Sequence, residues 1–306
     1  MSNLPRISVV IPCLNRAAFI EKAIDSVLSQ DYPDIELIIM DGGSTDGTVD
    51  IIKRYAPRLA CWVSEPDSGQ SAAINKGLRR ITGELFAFLN SDDWYYPGAF
   101  RAAAEALAAA NAGVLKHHWV SGSIKALYPD GKELVYPLLP ADYSERLLRD
   151  RGWCATGPRM PCGWGSCFWR RELLELVGYF REDLHYTMDV EYHARLYLHG
   201  FPPLLIEPLI AGALLHPGSK TVGGTNSGEK DRFCGFFASL LSPRELRRAR
   251  FLTEVRRIGR ISGDSRLKWL APVRLLTSGV PFTYPLQFAS GLMHRVRGQK
   301  WSGQGW

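Results

Sequence analysis

The sequence lacks the paired cysteines that mark zinc-binding or disulfide-rich proteins. Its six cysteines form no Cys-x-x-Cys pair. Cys162 and Cys167 lie close together in PCGWGSC, but no second pair of this kind accompanies them. Structural zinc sites of this kind need two such short spacings, so we do not expect one here. Reduced thiols are typical of a cytoplasmic protein, which is the location that we predict.

Long apolar runs are also missing. The first residues, MSNLPRISVVIP, contain no apolar core of a secretory signal. No stretch reaches the ~18 uninterrupted apolar residues that a membrane-spanning helix requires. We therefore expect neither a secretory signal nor a transmembrane helix.

Two common nucleotide-binding signatures are absent. The first apolar run is followed by PCLNRAAF, where a dinucleotide-binding fold would carry GxGxxG, and GxxxxGK[ST] does not occur. These absences argue against a nicotinamide-dependent dehydrogenase and against a P-loop ATPase.

Acidic residues are scarce in the last part of the chain. Residues 241–306 hold thirteen Lys and Arg against three Asp and Glu, whereas the net charge of the whole chain is only +6. This basic tail predicts contact with an anionic partner. We favour the inner face of a membrane as that partner. The other interpretation is a solvated helical face that packs on the domain. We expect no nucleic-acid binding, because the rest of the chain is net negative and no recognition motif occurs.

Alternating strand and helix patterns are present in the first hundred residues. Four apolar runs predict buried strands, and helical periodicity fills the gaps between them. The runs are ISVVI (7–11), IELIIM (35–40), LACWVS (59–64) and LFAFL (85–89). This order predicts an α/β fold with a mostly parallel central sheet flanked by helices. Later, residues 121–137 predict a hairpin and residues 186–200 an amphipathic helix.

Polar side chains follow each of the four predicted strands. They are Asn15, Asp41, Asp67 and the adjacent pair Asp92 and Asp93. Ligands bind at the carboxyl ends of parallel strands, so these residues predict a site at one edge of the sheet. The acidic pair alone could simply cap the next helix. Beside the other polar ends, it favours a Mg²⁺ or Mn²⁺ site that also holds a diphosphate.

Three segments follow one another in order: PCLNR, IELIIMDGGSTDGTVDII and SEPDSGQSAAINKGLRRITGELFAFLNSDDW. Together they resemble the signature of family 2 inverting glycosyltransferases, which have the Rossmann-like glycosyltransferase A-type fold. The resemblance is dense over residues 6–110 and thin to about residue 222. It implies a catalytic domain over 1–225, with a nucleotide-sugar-binding half (1–112) and an acceptor-binding half (113–225). Residues 226–306 would be a basic helical C-terminal extension.

The same resemblance assigns roles to individual residues. It implies that Pro12, Asn15 and Asp41 bind the nucleotide. It implies that Asp93 is the direct metal ligand and that Asp92 is its partner in binding the metal and the donor diphosphate. Many relatives have an acid at the position of Ser91, so the exact coordination stays open.

The resemblance further implies a general base on a later helix, because inversion requires the acceptor hydroxyl to lose its proton. Asp189, in the segment MDVE, is the residue that we assign to this role. In LLHPGSKT (214–221), His216 is a candidate metal ligand and Lys220 a candidate diphosphate contact.

Several further candidates have an ordinary structural alternative. Asp67, Asn75 and Lys76 are candidate donor contacts, although a turn or a solvated helix would also explain them. Candidates for the acceptor site are Trp153, Trp164, Trp169 and Glu191, although clustered tryptophans often belong to a core.

The sequence thus predicts a metal-dependent inverting glycosyltransferase that uses a nucleotide-diphosphate sugar, with UDP favoured. The acceptor would be a saccharide or a lipid-linked molecule in surface polysaccharide or glycolipid synthesis. Two alternatives remain: a sugar-phosphate nucleotidyltransferase, and a catalytically inactive nucleotide-sugar-binding subunit. The sequence does not indicate the donor sugar, the linkage or the oligomeric state.

Overall fold

The computed structural model describes residues 4–110, 117–136, 164–223, 227–239 and 242–243. Nine strands form one sheet: β1 (Ile7–Cys13), β2 (Ile35–Asp41), β3 (Cys61–Ser64), β4 (Leu85–Phe88), β5 (Asp93–Tyr95), β6 (Trp119–Leu127), β7 (Glu133–Tyr136), β8 (Cys167–Arg170) and β9 (Leu204–Leu214). The described helices are α1 (Ile20–Leu28), α2 (Thr48–Tyr55), α3 (Gln70–Leu78), α4 (Ala99–Ala110), α5 (Leu173–Leu176), α6 (Met188–Leu198), α7 (Lys220–Gly223) and α8 (Ser227–Ser239).

The sheet has the strand order β3-β2-β1-β4-β8-β6-β9-β5, with β7 paired to β6. The first four strands are parallel, as the alternation of strands and helices predicts. The remaining strands join them through one antiparallel pair, β4 with β8. Among themselves, they pair antiparallel, as β5 does with β9, except that β6 and β9 are parallel. The predicted α/β fold is confirmed.

Both faces of the parallel half are covered, which explains the uninterrupted apolar character of its strands. Along β1, Ile7, Val9 and Ile11 pack in one core cluster with residues of α1, α2 and α4. Val10 points to the opposite face, where α3 lies against it. Apolar residues on both faces of β1 are therefore a packing requirement of this layer arrangement.

Close packing of α3 on the sheet depends on Gly77. A Cβ atom at this position would lie 2.5 Å from Cγ1 of Val10 and 3.3 Å from Cγ of Met40. The absence of a side chain lets the helix backbone approach β1 and β2 directly. The position of α3 matters for function, because its first residues reach the carboxyl edge of the sheet.

Two strands of the second half do not follow from the sequence pattern. β5 has only three residues and lies within the acidic segment, so its length is too short to show a strand periodicity. β9 contains Pro208 and has an exposed stretch at residues 207–208, which interrupts its apolar pattern. It pairs with β6 on one side and with β5 on the other.

The chain divides into two compact units. One comprises residues 1–149 and 158–233, and the other residues 150–157 and 234–306. The predicted boundary at residue 225 remains a prediction. Within the described ranges, no helix combines the length and the apolar character needed to cross a bilayer. The basic tail beyond Pro243 lies outside the described residues.

The packing of Gly77 leads to a prediction for the free energy of unfolding. We expect Gly77→Ala to lower it by ~1–3 kcal/mol, because the added methyl group forces α3 away from Val10. Gly235→Ala is the matched control, since Gly235 is also helical and a Cβ atom there meets nothing within 4 Å. We expect this control to raise stability by roughly 0.5–1 kcal/mol through helix propensity. Urea unfolding measures both changes, and equal effects of the two substitutions would contradict the packing argument.

Candidate active site

The carboxyl end of β2 carries a buried carboxylate that organises the following loop. Asp41 is 2% exposed, and its Oδ2 accepts hydrogen bonds from the backbone N–H groups of Gly43 (3.1 Å) and Ser44 (2.9 Å) and from Ser64 Oγ (2.7 Å). Its Oδ1 accepts from the hydroxyl of Ser44. Burial disfavours the charged form, but the hydrogen bonds from Ser44 and Ser64 outweigh it and hold the pKa of Asp41 below its ordinary value. Asp41 therefore shapes the loop as an ionised group.

The end of β1 is locked to the same loop. Pro12 is buried within β1, whereas Asn15 is exposed and has a positive φ of 52°. The amide oxygen of Asn15 accepts from Thr45 N at 2.9 Å, and its backbone N–H donates to Ser44 Oγ at 2.7 Å. These bonds bring the two predicted nucleotide-binding segments together.

Asp67, after β3, also lies at this edge. Its Oδ1 accepts a hydrogen bond from Gly69 N at 2.8 Å, so Asp67 stabilises the turn in which it lies. Its Oδ2 lies close to the loop after β2: a Cβ atom on Gly42 would be only 2.9 Å from it. The polar residues after β1, β2 and β3 thus meet as the parallel arrangement predicts.

The acidic pair after β4 separates into two different environments. Asp92 is partly exposed, and its Oδ2 lies 3.1 Å from Nε2 of His216. Asp93 begins β5, is 4% exposed, and accepts from Asn90 Nδ2 at 2.9 Å. Asp92 is the carboxylate that faces the candidate ligand His216, and the assignment of Asp93 as the direct metal ligand remains a prediction. The strand that begins at Asp93 turns its side chain inward.

The Asp92–His216 pair offers an incomplete set of metal ligands. Among the described residues, no three His, Cys, Asp or Glu side chains gather in an arrangement that could hold a metal. One carboxylate and one imidazole still suit Mn²⁺ or Mg²⁺ in sites where substrate phosphates complete the coordination. The ring of His216 also stacks on Phe19, with 4.8 Å between ring centroids. This stacking fixes the orientation of the imidazole toward Asp92.

Asp189 lies in the first turn of α6. Burial raises the pKa of its carboxyl group, and the nearby His193 opposes this shift, as does the hydrogen bond from Val190 N at 2.8 Å. A raised pKa makes an aspartate a stronger base, so the environment suits proton abstraction.

The loop before α6 is held by a carboxylate from α8. Glu229 is fully buried and accepts from the backbone N–H groups of His185, Tyr186 and Thr187 at 2.8–3.1 Å. Burial disfavours its charged form, but these hydrogen bonds hold the pKa of Glu229 below its ordinary value. The ionised carboxylate therefore satisfies N–H groups at the start of the helix that carries Asp189.

Lys220 connects this loop to the start of α3. Its Nζ donates to the carbonyl oxygen of His185 and to Oε1 of Gln70, both at 2.8 Å. Burial lowers the pKa of the Lys220 ammonium, while the carboxylates of Glu229 and Asp189 oppose the shift. Lys220 thus lies near Asp189 and four residues after His216.

Two predicted donor contacts have other partners in the structure. Asn75 is 1% exposed, and its amide donates to Phe180 O (2.7 Å) and accepts from Phe180 N (3.1 Å). Lys76 forms an ion pair with Glu65 at 2.7 Å on the outside of α3. The side chain of Asn75 is thus buried and bonded within the fold, and the donor contact assigned to it remains a prediction. This side chain anchors the segment that leads to α6.

Two of the predicted acceptor residues also have other partners in the structure. Trp169 is fully buried in an aromatic core, where it stacks on Phe88 and His193 at centroid distances of 5.9 and 5.8 Å. Glu191 is 1% exposed and makes a bidentate ion pair with Arg195, at 2.9 and 2.8 Å. The acceptor roles assigned to both residues remain predictions. Trp153 and the side chain of Trp164 lie outside the described part of the chain.

Sequence reasoning missed Gln70, Asn90 and Glu229. The rule of strand ends could have identified Asn90, which directly follows the apolar run of β4, and Gln70, which begins α3 at the same edge. No sequence signal points to Glu229, because its partners are backbone groups more than forty residues earlier.

Comparisons with known proteins identify the family of the chain. A family model described as Glycosyl transferase family 2 matches residues 8–178, more than half of the chain. An uncharacterized glycosyltransferase of Nostoc sp. is 33% identical over 178 residues, which cover 56% of this chain and 53% of the relative. A PGL/p-HBAD biosynthesis glycosyltransferase of Mycobacterium bovis is 40% identical over 95 residues, or 30% of this chain and 37% of the relative. The chain thus spans about half or less of the length of these relatives.

A solved structure shares the fold at low sequence identity. S. aureus TarS 1–349, crystallised in complex with UDP-GlcNAc, superposes with a TM-score of 0.55 and 16% identity over 97% of this chain and 93% of TarS 1–349. At this identity the likeness concerns the fold alone. Together with the family match over residues 8–178, it leads to one conclusion: the chain belongs to glycosyl transferase family 2.

Proposed function

We propose that the chain is a metal-dependent inverting glycosyltransferase that transfers a sugar from a nucleotide-diphosphate sugar, with UDP favoured. The acceptor is a saccharide or lipid-linked molecule in surface polysaccharide or glycolipid synthesis. One observation carries the proposal: the segment 216–220 contacts both Asp92, through His216, and the loop before the helix of Asp189, through Lys220. The UDP-GlcNAc bound to TarS and the biosynthetic name of the mycobacterial relative support the substrate classes.

Asp92 and His216 would hold the divalent cation, with Lys220 contributing positive charge beside them. The cation, when bound, neutralises the negative charge that develops on the departing diphosphate. Pro12, Asn15, Asp41 and Asp67 line the edge where the nucleotide would bind. Asp41 acts there through the loop that it organises.

Asp189 supplies the base that inversion requires. Its carboxylate would accept the proton of the acceptor hydroxyl as that oxygen attacks the anomeric carbon from the face opposite the diphosphate. The pKa of Asp189, raised by burial, favours proton transfer. The hydrogen bonds from residues 185–187 to Glu229, which we call the Glu229 clamp, hold the start of α6 in place during this step.

The basic tail, residues 241–306, would place the enzyme at an anionic membrane surface on the cytoplasmic side. A lipid-linked acceptor would then be presented directly to the site. Each basic residue near the surface contributes ~1 kcal/mol of attraction.

The base assignment predicts a specific effect of Asp189→Asn. We expect kcat to fall by ~10²–10⁴ while calorimetric binding of UDP with Mn²⁺ is unchanged, because the substitution removes the base and keeps the shape of the side chain. The assay uses the sugar nucleotide that binds best among UDP-, GDP- and dTDP-sugars. Glu175→Gln, an exposed carboxylate on α5, is the control and should leave both quantities unchanged. Near-normal turnover by Asp189→Asn would refute the assignment.

The raised pKa of Asp189 also determines the direction in which stability and kcat change with pH. A carboxyl pKa that is higher in the folded than in the unfolded chain means that the ionised group costs stability at neutral pH. We therefore expect Asp189→Asn to have an equal or higher Tm at pH 7. We also expect wild-type kcat to fall with acidification around a midpoint above the ordinary Asp value of ~3.9. Thermal melts and a pH–rate profile measure these effects, and a lower Tm for the variant would contradict the burial argument.

The metal assignment predicts different results for the two adjacent carboxylates. Asp92→Asn should weaken Mn²⁺-dependent UDP binding by at least about tenfold with little change in Tm, because Asp92 is partly exposed. Asp93→Asn should mainly lower Tm, because Asp93 is buried and bonded to Asn90. Calorimetry with and without Mn²⁺ distinguishes them, with the exposed Asp50→Asn as control. The reverse pattern would restore Asp93 as the direct ligand.

The role of the tail predicts that its charge controls vesicle binding. Replacing Arg247, Arg248, Arg256 and Arg257 with Gln removes four positive charges and should abolish most co-sedimentation with vesicles that contain anionic lipid. Vesicles of neutral lipid provide the control. Equal sedimentation of the wild-type and variant chains would exclude electrostatic docking.

A further inference from the structure

Two side-chain amides form a continuous hydrogen-bonded connection between Asp93 and Lys220. Asn90 Nδ2 donates to Asp93 Oδ2 at 2.9 Å, and Gln70 Nε2 donates to Asn90 Oδ1 at 2.6 Å. Lys220 Nζ in turn donates to Gln70 Oε1 at 2.8 Å. We call this the amide chain.

The two ends of the amide chain fix its direction. An ammonium group can only donate hydrogen bonds, so the oxygen of Gln70 must face Lys220 and its NH₂ group must face Asn90. An ionised carboxylate can only accept, so the NH₂ group of Asn90 must face Asp93, which leaves its oxygen for Gln70. Both amides therefore have one consistent orientation. Such a chain between opposite charges is polarised and strengthened along its length.

The amide chain extends from the acidic segment into the loop before α6. Lys220 Nζ also donates to the carbonyl oxygen of His185 at 2.8 Å. The N–H of the same residue donates to Glu229, which holds Tyr186 and Thr187 as well. Gln70 is close to this loop, since a Cβ atom on the preceding Gly69 would lie 3.1 Å from Nδ1 of His185.

We propose that Gln70 is a positioning residue that ties the helix of the general base to the acidic segment of the donor site. It acts through Lys220 on one side and through Asn90 on the other. The functional part of this inference rests on the proposed function, because it concerns Asp189 and the donor. Its structural part concerns the loop at residues 185–187 and can be tested without any ligand.

The location of Gln70 explains why the connection needs an amide. A residue between an ammonium and an amide oxygen must accept on one side and donate on the other. Glutamine does both without a charge of its own and does not titrate. A methionine of similar length fills the same space and does neither.

The test compares Gln70→Met with wild type by hydrogen–deuterium exchange in the full chain without ligand. We expect exchange in peptides covering residues 185–198 to rise about threefold or more in the variant, because Lys220 loses the side-chain oxygen of Gln70 as a hydrogen-bond acceptor. Gln70→Glu retains an acceptor for Lys220 and should keep exchange in these peptides near the wild-type level. Arg80→Ala, an exposed residue beyond the end of α3, is the control that should change nothing.

A second measurement connects the amide chain to catalysis. With Mn²⁺ and UDP as the probe, we expect wild type and Gln70→Met to bind with affinities within about twofold. We also expect kcat for sugar transfer to fall about tenfold in the variant, with KM for the donor nearly unchanged. Failure of wild type to bind any of the UDP, GDP and dTDP probes would refute the proposed function, and the ligand-free exchange data would still decide the structural link.

Equal exchange over residues 185–198 in wild type and Gln70→Met would overturn the proposal. A general loss of protection over the whole chain, with Gln70→Glu behaving like Gln70→Met, would also overturn it, since Gln70 would then be only a stability residue.

Discussion

Parallel pairing of β1, β2, β3 and β4 is the constraint on which the site depends. In parallel strands the carboxyl ends meet at one edge, and the register sets Cys13 opposite Asp41 and Asp41 opposite Ser64. The loops that follow these strands therefore converge without any long connection. Asp41 stabilises this convergence by bonding to groups from its own loop and from β3. Every other part of the candidate site is placed relative to this edge.

The second half of the chain completes the site through one short segment. Residues 216–220 follow the end of β9, and β9 pairs with β5, which begins at Asp93. The sheet itself thus brings His216 back to Asp92. Four residues later, Lys220 reaches the loop before α6. Residues 216–220 therefore link the groups that would hold the donor to the helix whose aspartate would deprotonate the acceptor.

Much of the parallel half can be predicted from sequence, because its buried strands and its helices have clear periodicities. The short strand β5 has too few residues to show a pattern, and this affects the interpretation of the acidic pair at its start. Adjacent residues in a strand turn to opposite faces, so an unrecognised strand beginning at Asp93 conceals that Asp92 and Asp93 lie in different environments. The environments of Glu191 and Trp169 could not be predicted for a different reason: their partners, Arg195 and the aromatic core, are defined only by tertiary packing.

The Glu229 clamp has a consequence for the order in which the chain is made. Synthesis proceeds from the N-terminus, and the four parallel strands are complete by Phe88. The carboxyl edge of these strands can therefore form on the ribosome while α6 is still being translated. The N–H groups of residues 185–187 gain their carboxylate partner only after Glu229 has emerged, more than forty residues later. The parallel half of the sheet is thus assembled early, and the start of α6 reaches its final position late in synthesis.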